Sequence, residues 1–206
     1  MEVMMKKWLI SAILIGSIFL NTNAIAQLVS PSVLEISRNV TVPLSITFKS
    51  SETGYCTGVV LKNTKNSGII LTAKHCTDNS TIIRIDNIEA VYYKNSPDND
   101  LALIYYDQYL PNKRPVTISP NNIILSSRVY HLGYPRSKEL FTNGIVSFIT
   151  NDDCYAIIKT KPGCSGGGIF NTMGELVGIV WGSNGLGTAV FESLKNIKQF
   201  LQSANI

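Results

Sequence analysis

KPGCSGGGIF, residues 161–170, sets one serine among glycines: Gly163 stands two positions before Ser165, Gly166, Gly167 and Gly168 follow it, and Gly174 lies a little further on. Glycine lets a backbone turn tightly and approach other groups closely. A serine hydroxyl on such a turn remains a poor nucleophile until a base takes its proton. GCSGG (163–167) also has the G-x-S-x-G form of a strand-to-helix elbow, in which the acid and the histidine follow the serine along the chain. The position of the base therefore decides which fold the stretch belongs to.

The chain has two histidines, His75 and His131, and both precede Ser165. The elbow reading, that of lipases and esterases, fails on this inventory, and the chain lacks the alternating helices which that fold requires. His75 ends the apolar run ILTAKHC (70–76), where a strand gives way to a loop, a suitable place for a catalytic base. Asp100 lies in DNDLALIYY (98–106), where a polar run meets a strand, so its carboxylate stands at the mouth of the core. There it can hold a histidine by its ring N–H and stabilise the imidazolium. Singly, such residues are ordinary turn and loop residues. Together they give the order His, Asp, Ser. His131, in VYHLGYP (129–135), has no acid–base partner nearby and reads as structural.

Short apolar or alternating runs broken by turn residues fill most of the chain, among them GVVLKN, GIILTAKH, SRVYHLGYP, NGIVSFIT and GELVGIVWG. This spacing predicts an all-β barrel or sandwich. Residues 192–203 (ESLKNIKQFLQS) place Leu194, Ile197 and Leu201 at three- and four-residue intervals, which predicts a C-terminal helix packed on the barrel. The polar, proline-bearing stretch 109–122 (YLPNKRPVTISPNN) reads as a linker between two β halves.

The blocks LTAKHC, DNDLALI and PGCSGGGIF, followed by GELVGIVWG, resemble the three catalytic blocks of the chymotrypsin-like (trypsin-like) serine endopeptidases, in that family's order, from about Tyr55 to Phe191. The resemblance implies two packed six-stranded antiparallel β-barrels with a C-terminal helix: a first barrel over about 40–110, a second over about 123–191, and a site in the crevice between them. It implies His75 as base, Asp100 as its orienting acid and Ser165 as nucleophile, with the amides of Gly163 and Ser165 as the oxyanion hole. The implied activity is serine endopeptidase hydrolysis of a protein or peptide substrate without a cofactor. The motifs alone leave open an inactive binding protein on the same fold, or an esterase.

The same register implies that Lys159, Thr160, Val180, Trp181 and Gly182 line the pocket for the residue before the cut. GIVWGS (178–183) resembles the glutamyl-endopeptidase branch, and Thr160 stands where that branch has a threonine. Val180, however, stands where it has a histidine, so the preferred residue stays open. Four cysteines allow three pairings. Cys56 and Cys76 match a pair that ties the histidine loop to the preceding strand in many relatives. Cys164 replaces an aspartate that, in digestive-type relatives, pairs with a newly cut N-terminus. The chain also lacks the matching Ile-Val-Gly-Gly cleavage site; a Cys154–Cys164 disulfide is the expected substitute for that tie, and a free Cys164 thiol competing with Ser165 as nucleophile is the alternative.

At the N-terminus, Lys6 and Lys7, the apolar run 8–20 and Ala24-Ile25-Ala26 read as an export signal cleaved before Gln27. The product, residues 27–206, is expected to be a secreted or periplasmic protease domain and a monomer, without stable membrane association. Removing the leader takes the formal charge from +4 to +3. The remaining basic residues are scattered, which argues against a nucleic-acid partner. Two histidines and no C-x-x-C give little basis for a zinc site.

Overall fold

A computed structural model describes residues 33–185 and 187–206. The expected leader, residues 1–26, lies outside the described residues. Among the described residues, thirteen strands are followed by a C-terminal helix. Strands β1 (Thr41–Phe48), β2 (Thr53–Thr64), β3 (Ser67–Thr72), β4 (Ser80–Ile85), β5 (Ile88–Glu89), β6 (Tyr92–Asn95) and β7 (Ala102–Tyr106) form one antiparallel sheet in the order β5-β4-β1-β2-β3-β7-β6. Strands β8 (Arg128–Gly133), β9 (Leu140–Ile149), β10 (Asp153–Ile157), β11 (Gly168–Phe170), β12 (Leu176–Ser183) and β13 (Thr188–Ser193) close into a six-stranded barrel.

The second half is thus the expected barrel. The first has seven strands, and no ladder among the described residues joins its edges. Its closure runs through the chain itself: between β5 and β6, Ala90 N–H donates to Ile83 on β4 at 2.9 Å and Val91 N–H to Tyr105 on β7 at 2.8 Å. A two-residue β5 is too short to pair on both sides, so consecutive residues bond to opposite edges.

Alternation explains why the runs GIILT and LALI are apolar at nearly every position. On β3, Ile70 points into the core of the first sheet with Val42, Leu44 and Ile104, whereas Leu71 points to a second core shared between the halves. On β7, Ile104 and Leu103 divide in the same way. A strand buried on both faces reads as a continuous apolar run. The shared core includes Val59, Leu132, Phe170 and Ile179, so it fixes the two halves against each other. A third cluster, with Val129, Val146, Ala156 and Phe191, fills the closed barrel.

Two helices cover the shared core. Residues 33–40 form a helix, α1, that the sequence reading did not anticipate; Val33, Ser37 and Val40 bury one face at helical spacing. Helix α2 spans Leu194–Ser203 and begins two residues later than expected, because Glu192 and Ser193 still belong to β13. The Ser193 side chain caps α2 by accepting from Asn196 N–H at 3.2 Å. Leu194, Ile197, Phe200 and Leu201 are its buried apolar residues.

Candidate active site

His75 sits in a single 3-10 turn, Lys74–Cys76, that terminates β3. A disulfide from Cys76 to Cys56 on β2 fixes the turn, as the resemblance implied, with a Cα–Cα separation of 6.2 Å. Asp100 stands just before β7, which is the ladder neighbour of β3. The two residues therefore emerge side by side from adjacent strands.

Asp100 grips His75 twice: Oδ1 accepts from the His75 backbone N–H at 2.8 Å, and Oδ2 lies 2.6 Å from ring Nδ1. An ionised carboxylate can only accept, so Nδ1 carries the hydrogen and Nε2 is left as the basic nitrogen. The Asp100 carbonyl accepts from Lys74 N–H at 3.2 Å and its own N–H donates to Glu192 Oε1 at 2.7 Å. The imidazole remains accessible, with 46% of the His75 side chain exposed against 24% of Asp100.

Ser165 lies on the loop between β10 and β11. Its carbonyl accepts from Thr57 N–H at 2.8 Å, and the preceding Gly163 carbonyl accepts from Thr57 Oγ1 at 2.8 Å. Thr57 is on β2 in the first half, so this residue docks the serine loop of the second half across the crevice. Cys76 Sγ lies 3.8 Å from the Ser165 carbonyl oxygen, and a His75 ring nitrogen lies within 4.8 Å of both disulfide sulfurs. The disulfide is thus a common neighbour of the two residues. Its sulfurs are bonded to each other, so this clustering of Cys56, His75 and Cys76 is no metal site. Among the described residues Ser165 Oγ has no hydrogen-bond partner, His75 Nε2 included.

The loop glycines answer to geometry. Gly163 has φ +100° and Gly166 φ +83°, a region L side chains rarely adopt, and a Cβ on Gly166 would collide with the Thr57 carbonyl and Thr72 Oγ1. Gly166 N–H donates to Val180 at 2.6 Å and Cys164 N–H to Lys161 at 2.9 Å, whereas the amides of Gly163 and Ser165 donate to no acceptor among the described residues. Two unspent donors flanking the serine can receive an anionic oxygen.

Beside Ser165 opens a cavity of about 670 Å³ whose lining includes Lys159, Thr160, Lys161, Val180 and Gly182. Thr160 Oγ1 is buried beside it, without a partner among the described residues. Trp181, expected on the same wall, lines instead a neighbouring cleft of about 800 Å³ with His75 and Asp100, and its Nε1 donates to Asp153 at 3.0 Å. The cause is a bulge: Val180 pairs with Phe191 and Gly182 with Val190, so Trp181 is the unpaired extra residue and its side chain is re-aimed.

The expected Cys154–Cys164 disulfide is absent; both are buried free thiols. Cys154 pairs with Ile149 at one end of β9, and Cys164 Sγ packs against Gly133, which pairs with Leu140 at the other end. The ten residues of β9 separate them, about 30 Å of strand, far beyond the roughly 7 Å a disulfide can bridge. Burial pushes the Cys154 thiol up to about 11 and raises that of Cys164, so neither is poised as a thiolate. His131 is fully buried, its Nδ1 is 3.1 Å from the Gly168 carbonyl, and burial lowers its pKa to about 4.

The sequence reading missed Thr57, which carries no motif, and Glu192. An acid inside the apolar strand TAVFES was the available signal for the latter: Glu192 is only 4% exposed. Burial raises its pKa, opposed by hydrogen bonds from Asn196 and from Asp100 N–H.

A sequence profile of the trypsin-like peptidase domain matches residues 56–179, and the chain belongs to this family of chymotrypsin-like serine proteases. The glutamyl endopeptidase of Staphylococcus aureus (strain MW2) is 29% identical over 122 residues, 53% of this chain and 37% of the relative. That of strain N315 matches at the same identity over 35% of its length. The chain thus spans little more than a third of the length of these curated relatives. Among solved structures, an inactive form of Rv3671c from M. tuberculosis H37Rv superposes with a TM-score of 0.69 at 18% identity, covering 87% of this chain and 94% of that one. The HtrA-type protease AlgW with tripeptide gives 0.68 at 20% identity, covering 83% and 62%. At these identities the structures speak to the fold.

Proposed function

We propose that the chain is an exported serine endopeptidase with His75, Asp100 and Ser165 as its triad. The observation that carries the reading is the double grip of Asp100 on His75, at 2.8 and 2.6 Å, which leaves Nε2 as the free base. In the proposed reaction Nε2 takes the Ser165 proton as Oγ attacks the substrate carbonyl, and the charge that develops on the carbonyl oxygen is received by the Gly163 and Ser165 amides. The amine leaves with the proton returned by His75, and water, activated by the same imidazole, releases the acid and restores the hydroxyl. Each oxyanion donor of this kind contributes about 3 kcal/mol to the transition state.

The cavity beside Ser165 favours an acidic residue before the cut. Lys159 and Lys161 are its charged lining residues, and Thr160, whose hydroxyl is buried, forms part of the same wall. The relatives named glutamyl endopeptidases support this choice, although the neutral Val180 leaves the lysines to carry the preference. Export is supported by the charged, apolar and small-residue pattern of residues 1–26 and by the Cys56–Cys76 disulfide, a bond that persists in oxidising compartments. No described helix is long and apolar enough to cross a membrane.

A sulfonyl fluoride or organophosphonate label tests the reading. The wild type is expected to react stoichiometrically and Ser165→Ala not at all, and a peptide library is expected to yield new N-termini after Glu or Asp. Failure of the folded wild type to label would overturn it. That result would favour an inactive binding protein on this fold, the reading to which the missing Ser165–His75 hydrogen bond points. In ligand-free sites such bonds are often long and tighten only around substrate. Ester cleavage without new N-termini would replace the peptidase by an esterase.

A further inference from the structure

Asp100 has four polar groups, and three are held from within the first half: the carbonyl by Lys74 N–H at 3.2 Å, Oδ1 by His75 N–H at 2.8 Å and Oδ2 by the His75 ring at 2.6 Å. The fourth, its backbone N–H, reaches across the crevice to Glu192 Oε1 at 2.7 Å. Glu192 lies on β13, where Ala189 and Phe191 point into the closed barrel. By strand alternation Glu192 points out of the barrel, toward the first half. Its second oxygen accepts from Asn196 Nδ2 at 2.7 Å, and the same amide donates to the Asp152 carbonyl at 2.9 Å. Asn196 is itself fixed, because its backbone N–H is capped by Ser193 at the start of α2.

We propose that Glu192 is a positioning residue, which sets the His75–Asp100 pair in register with the half of the molecule that bears Ser165, by holding the Asp100 peptide against the base of α2. This rests on the triad reading above and adds a residue to it. The two halves are then tied at both ends of the chemistry: Thr57 reaches from the first half to the serine loop, and Glu192 reaches from the second half to the acid. A buried carboxylate that accepts a backbone amide and a side-chain amide at 2.7 Å is held rigidly, since charge-assisted bonds of this length are the strong ones. Its negative charge also stands behind Asp100, where it favours the protonated imidazole. The titratable groups facing it are His75, Asp98 and Asp100 from the first half, Asp152 and Asp153 from the turn into β10, and Lys195 from α2.

The test compares Glu192→Ala, Glu192→Gln and Ser165→Ala with the wild type. Glu192→Ala leaves the Asp100 N–H without its acceptor and is expected to lower kcat roughly 10- to 100-fold with KM changed less than about twofold, because neither partner lines the cavity proposed for the residue before the cut. Glu192→Gln keeps an acceptor and is expected to restore kcat to within about threefold, while removal of the charge moves the acid limb of the pH profile of kcat/KM to lower pH. By proton NMR the downfield Nδ1–H resonance of His75 is expected to shift or broaden in Glu192→Ala and to persist in Glu192→Gln. An unchanged resonance and unchanged kcat in Glu192→Ala would overturn the proposal, as would an unmoved acid limb in Glu192→Gln if the alanine variant does not fold. If instead the wild type neither turns over nor labels at Ser165, the peptidase reading fails, and the resonance still reports whether Glu192 holds the pair.

Discussion

Replacing Thr57 by valine removes one hydroxyl and little volume, and the structure says what that hydroxyl does. Thr57 Oγ1 donates to the Gly163 carbonyl at 2.8 Å and accepts from Tyr134 N–H at 2.8 Å. Thr57 is fully buried, so water does not readily replace the lost partner on the Gly163 side. An unsatisfied buried group costs about 1–3 kcal/mol, and the half-buried Tyr134 amide adds a smaller amount. The variant is therefore expected to lose about 2–4 kcal/mol of stability. For a chain of this size that is a fall of roughly 4–16 °C in melting temperature. The backbone bond from Thr57 N–H to Ser165 survives, so the serine loop stays docked but its Gly163 end is released. Sulfonyl fluoride labelling is expected to slow by about tenfold or more, in line with the loss of one aligned oxyanion donor. Thr57→Ser retains the hydroxyl and is expected to melt and label close to the wild type. Calorimetry and a labelling time course measure both effects. A valine variant melting within about 2 °C of the wild type, or labelling at its rate, would refute the reasoning.

Two further outcomes follow from the buried thiols and the buried imidazole. With Cys56 and Cys76 paired and Cys154 and Cys164 free, Ellman's reagent is expected to find two thiols in the unfolded, unreduced protein and almost none in the folded one; a count of zero after unfolding would restore the second disulfide. His131, with a folded pKa near 4 against 6.5 for the free side chain, resists protonation that the unfolded chain accepts. Stability is thus fully present above pH 6.5 and falls as pH drops toward about 4, by about 3 kcal/mol in all. Glu192 works in the opposite sense, since its raised pKa favours the folded state as that carboxylate takes up its proton. The difference between the wild type and His131→Gln, followed by denaturant titration from pH 7 to 4, isolates the histidine: the variant's curve is expected to be flatter, and parallel curves would count against it.

The sequence made most strands of both halves readable because they bury at least one face, which the short β5 and β6 do not. It also exposed the order His75, Asp100, Ser165, because the proposed chemistry requires particular side chains at those positions. Helix α1 escaped notice because its buried face is only Val33, Ser37 and Val40, with a serine in the middle of the stripe. The closure of the first sheet through Ala90 and Val91 is a matter of backbone hydrogen bonds, which no side-chain pattern encodes. Trp181 was assigned to the wrong cavity because period-two alternation fails at a bulge, and the bulge leaves no mark in VWGS. The Cys154–Cys164 pairing, expected as a substitute for an N-terminal tie on the serine loop, is defeated by the length of β9, which sets the two thiols at its opposite ends.

What the motifs could not convey is how the two halves are held together around the site. Of the residues bridging the crevice, Thr57 belongs to an unremarked position after a cysteine, and Glu192 to a strand that reads as core. Each of these side-chain bridges joins a side chain of one half to main-chain atoms of the other: Thr57 Oγ1 to the Gly163 carbonyl, and Glu192 Oε1 to the Asp100 N–H. A main-chain partner imposes no requirement on residue type at its own position, so only one end of each bridge is written in side-chain chemistry. The proposed catalytic blocks are legible because the chemistry proposed for them requires particular residues at all three members. Their mutual placement is half hidden because backbone supplies the other half, and substitutions at Thr57 and Glu192 are therefore expected to alter the proposed chemistry while leaving every motif residue intact.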